Sequence, residues 1–347
     1  MIFATPVFES QAFTAAYIFT ALLIYTLGYT VFNVPYISMP AEMTDSYHER
    51  SSIHGYRVIF VSIGGMLAGA VAPAVLEQLG RTSWSAYAIV GSVGSLIIFT
   101  SLMVAWAGTG KARFTSAAAE RPKLLAELRQ VFANRHFIRL LSVKAAQLLG
   151  VASMQAAMVF FVLNVMQRDF GILAIYGLVI GISSLVVVPI LVSMSRAIGK
   201  SNTYIFAALC FVVVVLSWMF AGPDEPTWVF VLRGIVVAFA ASGNVIMAMS
   251  MLTDIINHAA KESGVRREGV YTSFYSFVEK FTFAFGPLIV GIALSISGFD
   301  ETIPPEQMQS PAIRQALLVG MTYIPASMGI LSIVLLTGYK LREEDMK

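Results

Sequence analysis

Apolar residues run along this chain in long blocks broken by short polar connections. Nine blocks are long enough to cross a bilayer, which takes about 20 residues of helix. They fall at residues 12–40, 53–76, 84–106, 137–165, 172–195, 204–221, 228–252, 271–297 and 315–337. The sixth is the shortest. The pattern predicts an all-α membrane protein, three spans in residues 1–106 and six in residues 137–347, joined by the long polar connection 107–136. Inside that connection, RPKLLAELRQVF sets Leu124, Leu125, Leu128 and Phe132 at helical spacing behind Pro122. A short amphipathic helix lying on the membrane surface is expected there.

Polar positions inside the apolar blocks change the picture from a set of anchors to a protein with an interior. In the first block Tyr29, Asn33 and Tyr36 stand four and three residues apart and share one helix face. Pro35 and Pro40 remove backbone donors there and can bend the helix. A polar face on a bent apolar helix suits a water-filled cavity, whereas the plainer reading has Asn33 hydrogen-bonding a neighbouring helix. Lys280 lies nine residues into the eighth block, roughly 13 Å along a helix. A charge that deep is expected to face a partner or a cavity. Its neighbour Glu279 is the carboxylate furthest inside any span, a candidate proton site or a structural partner for an arginine on another helix. Arg57, Lys144 and Arg233 lie nearer helix ends. Snorkelling is expected of Lys144 and Arg233 and is open for Arg57.

Composition agrees with this reading. Of 347 residues 57% are hydrophobic and 12% charged, about half the charge of a soluble domain. The single cysteine, Cys210, excludes an intrachain disulfide and a cysteine metal site. The net charge of +3 matters through its placement. Outside the spans, every basic residue except Arg81, Arg168 and Arg314 falls on one side of the predicted bilayer. The positive-inside rule makes that side cytoplasmic, with the N-terminus outside, the C-terminus inside and no signal peptide expected. The four histidines carry no HExxH pair, and no GxSxG elbow or phosphate-binding loop occurs, so no enzyme and no cofactor is indicated. The basic residues form no interleaved patch for nucleic acid. Asp45, Glu49 and Arg50, with Asp254, Glu262, Arg266 and Arg267, offer cytoplasmic charges that could latch two halves; the alternative is a solvated, topology-fixing set.

A weak internal repeat joins the two parts. MTD at Met43–Asp45 is followed twelve residues after Asp45 by Arg57, and LTD at Leu252–Asp254 is followed twelve residues after Asp254 by Arg266. Repeats of this kind relate the halves of many transporters. They equate the first block with the fourth span of a six-span half, so three spans are expected to be missing from the front.

Three motifs carry a family resemblance: FNVPYISMPAEMTDSYHERSSIHGYR, SMSRAIGKSN around Arg196–Lys200, and MLTDIINHAAKESGVRREGVYTSFYSFVEKFTFAFGP from Met251 to Pro287. The chain resembles the glycoside–pentoside–hexuronide:cation symporter family of the major facilitator superfamily, the group of melibiose permease-like transporters. The resemblance implies the last nine helices of a twelve-helix fold. It also implies cation-coupled uptake of a glycoside or related sugar by alternating access, at the bacterial inner membrane. It carries Tyr29, Thr30 and Asn33 to the sugar-facing helix, Arg57 to the entry of the next helix, and Lys280 to the eleventh helix of the pattern. Ser276, one turn before Lys280, joins the substrate set. Thr30, Asn33 and Glu279 form the cation-coupling set. Asn33 stands where melibiose permease has an aspartate, which leaves Na+ or H+ open. A truncated, non-transporting or partner-binding fragment and a carrier of lysolipid-type amphiphiles remain as alternatives.

Overall fold

The structure is a computed structural model. It describes residues 10–43, 60–61, 63–80, 83–110, 131–263, 268–299 and 310–339, with residues 3, 5, 6 and 8 ahead of them. The amphipathic helix expected at 122–132 lies almost wholly outside the described residues.

Nine helices follow one another among the described residues: α1 Gln11–Met43, α2 Ile63–Leu79, α3 Trp84–Thr109, α4 Arg135–Asn164, α5 Phe170–Ile198, α6 Lys200–Phe220, α7 Thr227–Ser263, α8 Glu268–Ile296 and α9 Pro311–Thr337. Eight are long and apolar enough to span a bilayer, and α2 is shorter. The chain divides into two compact units, Met1–Glu120 and Arg121–Lys347, with the division inside the polar connection.

In the first unit α2 packs on α3, and the Trp84 indole donates to the Thr5 carbonyl at 3.0 Å. The side chains of α1 and α3 are largely exposed, Phe19, Leu23, Ile98 and Val104 among them. Such all-round apolar surfaces suit a lipid solvent. Ser83 starts α3 by accepting from the Ala86 amide at 3.4 Å.

The second unit is built around α4, which packs on α8 and α9; α6 packs on α7 and α9, and α5 on α7. The helix starts are encoded locally. Asn134 Oδ1 accepts from the amides of His136 and Phe137 at 3.0 and 3.1 Å, and Asp169 Oδ1 caps α5 through Ile172 at 3.2 Å. Both satisfy donors that a helix N-terminus leaves open. Gly199 alone separates α5 from α6, at φ +84°, a conformation that a side chain would strain.

Two close contacts fix α4 against its neighbours. A Cβ on Gly286 of α8 would overlap the Ala152 backbone of α4, so only glycine allows this crossing. On α9, a π-helical turn at Val319–Tyr323 interrupts the ladder next to Gly320, whose carbonyl accepts from the buried Ser153 hydroxyl of α4 at 2.8 Å. The interior then falls into two apolar clusters. One gathers Phe161, Tyr176, Phe211, Trp218, Phe230 and Leu317. The other gathers Phe137, Leu140, Tyr204, Met247, Tyr271 and Leu336.

Candidate functional site

Between those two clusters the helices present polar side chains. On α4, Lys144 and Gln147 separate Val143 of one cluster from Met154 of the other; on α7, Asn244 separates Met247 from Ala240. On α8 Glu279 follows Tyr275, and on α9 Ser332 precedes Leu336. Lys144 is 1% exposed, Asn244 1% and Gln147 3%. Lys144 is nine residues past the start of α4 and Glu279 eleven past the start of α8, or about 14 and 16 Å along each helix. These depths place a polar layer near the middle of a bilayer whose apolar core is about 30 Å thick.

Among the described residues the layer contains the charge pair of Lys144 and Glu279. Lys144 Nζ stands 3.6 Å from Glu279 Oε1, too long for a hydrogen bond, and 5.8 Å from the centre of the Tyr275 ring. The partners differ in exposure: the lysine is sealed in the bundle, while the glutamate side chain is 43% exposed. Charge pairing and the Ala152–Gly286 crossing occur in the same order on both helices, so α4 and α8 run parallel in fixed register. The Asn244 amide, Gln147 Oε1 and the Tyr275 hydroxyl are buried without a hydrogen-bond partner among the described residues. Polar groups kept so at a cost in stability are a mark of function more than of packing.

Snorkelling fails for both Lys144 and Arg233. Lys144 is too deep and turns inward to Glu279, which is paired with a lysine and not with an arginine. Arg233 is 6% exposed and fully engaged. Its Nη1 lies 2.6 Å from Glu225 Oε1, its Nε donates to Ser217 Oγ and its Nη2 to the Ser217 carbonyl, both at 2.9 Å. The guanidinium also lies 4.4 Å from the Trp218 ring. Arg168 donates to the Glu225 carbonyl at 2.6 Å. This network holds one end of the second unit together and engages all three guanidinium nitrogens of Arg233, while Arg168 Nε and Trp218 Nε1 are buried without a hydrogen-bond partner among the described residues.

The opposite, basic end carries the two described members of the proposed latch, Asp254 and Glu262. Asp254 of α7 receives Lys200 Nζ at 2.6 and 2.8 Å, within its own unit. Burial, and then the Asp254 carboxylate, push the Tyr339 hydroxyl above the ordinary tyrosine pKa. His136 lies edge-on to His258 at 6.3 Å, and His258 is 3.4 Å from Glu262. Asp45, Glu49, Arg50, Arg57, Arg266 and Arg267 lie outside the described residues.

The remaining site residues fall as follows. Tyr29 is exposed on α1 and stacked on Tyr25 at 6.4 Å; Thr30 donates to the Thr26 carbonyl at 2.8 Å. Asn33 is a residue of α1 whose side chain is not described. Ser276 is half-buried on α8, and Lys280 is exposed there. Ser276, Glu279 and Lys280 thus sit within about one turn of α8, with Lys144 against Glu279. Sequence reasoning missed Lys144. The missing signal was the capped start at Asn134, which puts the lysine two and a half turns into the helix.

Residues 1–343 match the family described as MFS/sugar transport protein. The chain belongs to that family. It is therefore a multi-pass membrane transporter of the major facilitator superfamily, with the all-α fold expected from its sequence. Among relatives of this MFS/sugar transport protein, the uncharacterized symporter YnaJ of Bacillus subtilis is 24% identical over 353 residues, covering 99% of this chain and 74% of that one. The isoprimeverose transporter of Lactiplantibacillus pentosus is 24% identical over 92% of this chain and 66% of its own length. The glucuronide carrier protein homolog of Escherichia coli K12 is 23% identical over 92% and 69%. The chain spans about two-thirds to three-quarters of these relatives. The fold is also similar to the crystal structure of a bacterial homolog of the human lysosomal transporter Spinster, in an inward-facing and unoccupied conformation. There the TM-score is 0.56 at 15% identity, with 88% of this chain and 75% of that one covered.

Proposed function

We propose that this protein is a secondary active transporter that couples a monovalent cation to the uptake of a glycoside or related sugar by alternating access. The observation that carries this reading is the polar layer: a lysine, a glutamate and two buried amides at mid-span in an MFS/sugar transport protein. Lipid anchoring has no use for such groups, which are expensive at that depth. Relatives named for isoprimeverose and glucuronide transport support a sugar as substrate. The proposed substrate set is Tyr29, Asn33, Arg57, Ser276 and Lys280, and the cation-coupling set Thr30, Asn33 and Glu279. Asp45, Glu49, Arg50, Asp254, Arg266 and Arg267 are the proposed gating charges. The proposed setting is the bacterial inner membrane, N-terminus outside and C-terminus cytoplasmic. The test is counterflow in vesicles containing the purified chain, with labelled methyl β-D-glucoside and methyl β-D-glucuronide as probes. Exchange above protein-free vesicles is expected for at least one; exchange of neither contradicts the sugar reading.

A further inference from the structure

We infer that Lys144 selects the ion which Glu279 accepts, admitting a proton and excluding Na+. The inference rests on the reading of Glu279 as a coupling carboxylate. A hard metal cation needs several oxygen ligands around it and no competing positive charge. Glu279 offers the opposite. An ammonium stands 3.6 Å from its carboxylate, and that ammonium cannot withdraw, because Lys144 is 1% exposed and enclosed by the bundle. A Na+ ion on the carboxylate would face this fixed charge at short range in a poorly screened interior. Among the described residues no cluster of three or more carboxylate, histidine or cysteine side chains offers a metal an alternative.

A proton makes none of these demands. It needs one acceptor oxygen and a path to water, and the Glu279 side chain is 43% exposed. Loading transfers a proton from water on the facing side to a Glu279 carboxylate oxygen; unloading returns it to water on the other side. In this inference Lys144 is the fixed ammonium and Glu279 the group that gains and loses the proton. When Glu279 is neutral, Lys144 still has the carboxyl oxygen 3.6 Å away and the Tyr275 ring, its centre 5.8 Å from Nζ. The other ionisable groups on packed helices do not replace Lys144. Tyr204 of α6 stands beyond Tyr275, Tyr176 of α5 belongs to the cluster around Trp218, and Lys280 is exposed next along α8. On α7, Arg233 is held by Glu225 and Asp254 by Lys200; on α9, Arg314 and Tyr323 are exposed. On α4 itself, Arg135, His136 and Arg139 lie in the first turn and a half.

The test uses Na+ alone on the purified full chain, by thermal unfolding in NaCl against equimolar choline chloride. Wild type is expected to show no Na+-specific shift. Lys144→Gln is expected to gain one of about 2 °C or more, and Lys144→Gln combined with Glu279→Gln to lose it again. A merely structural lysine would change the midpoint equally in both salts. Lys144→Asn, which also replaces the ammonium by an amide oxygen, serves if the glutamine variant does not fold, and the same gain is expected of it. A Na+ shift in wild type that disappears in Glu279→Gln overturns the inference, as does the absence of any gain in a folded Lys144 variant. These outcomes do not depend on finding a sugar. In vesicles, accumulation of methyl β-D-glucuronide driven by a Na+ gradient instead of a pH gradient would overturn the inference and leave the sugar reading standing.

Discussion

Two buried basic residues of the second unit have opposite fates. Arg233 is satisfied on every side by Glu225, Ser217 and Trp218, while Lys144 has one long ion pair and an aromatic face. Removing Arg233 would leave the Glu225 carboxylate, 9% exposed, without its partner. Breaking a buried pair from one side costs about 3–5 kcal/mol. Arg233→Ala should therefore lower the thermal midpoint in detergent far more than Arg168→Ala, which loses one hydrogen bond to a backbone carbonyl. Arg233→Lys should not restore it, since an ammonium cannot reproduce the guanidinium fork. Lys280→Ala tests the exposed lysine of α8. In vesicles it should abolish accumulation against a gradient while sparing equilibrium exchange. Equal loss of both activities would make Lys280 a substrate ligand only. Neither pairing was legible in the sequence. Snorkelling is judged from distance to a helix end, whereas Glu225 reaches Arg233 from a loop, and Glu279 meets Lys144 across 135 positions of chain.

At the scale of elements, the apolar blocks marked the helices well because span length is set by the bilayer and not by tertiary contacts. The ends moved outward, α7 to Ser263 and α4 to Arg135, since polar caps such as Asn134 extend helices beyond their apolar stretch. Packing was less legible. That α4 rather than α8 is the central helix of the second unit follows from small residues at crossings, which hydropathy does not weigh. Gly286 is the sharpest case. Its replacement by valine would drive a side chain into the Ala152 backbone, and such overpacking costs about 1–3 kcal/mol. Gly291, one and a half turns further on α8, has open space where a Cβ would stand, so Gly291→Val should be near neutral in a thermal unfolding series. Because the same crossing sets the register of Lys144 on Glu279, Gly286→Val is expected to weaken coupled uptake as well. Equal stability of the two variants would remove Gly286 from this role.

For the whole molecule, family and fold were readable because three motifs and the span pattern extend along the chain, and the match over residues 1–343 agrees. The coupling site was readable only in part. Glu279 stood out by depth alone, but its partner depended on helix register, and the loops bearing Asp45, Arg57, Arg266 and Arg267 lie outside the described residues. Orientation is open to a direct check. A reporter inserted within 107–136 should read as cytoplasmic and one within 298–312 as external, as the bias of basic residues requires. Reversed labelling at both positions would invert the proposed topology.

Transport driven by an ion gradient is the core of this reading, and accumulation measures it most directly. Vesicles containing the purified chain would be given an inward proton or Na+ gradient and labelled methyl β-D-glucoside or methyl β-D-glucuronide. The internal concentration of at least one sugar should rise above the external one, then fall back to it when an ionophore collapses the gradient. Uptake that only ever equilibrates, with the gradient present or absent, would mean that this MFS/sugar transport protein is not a symporter under these conditions.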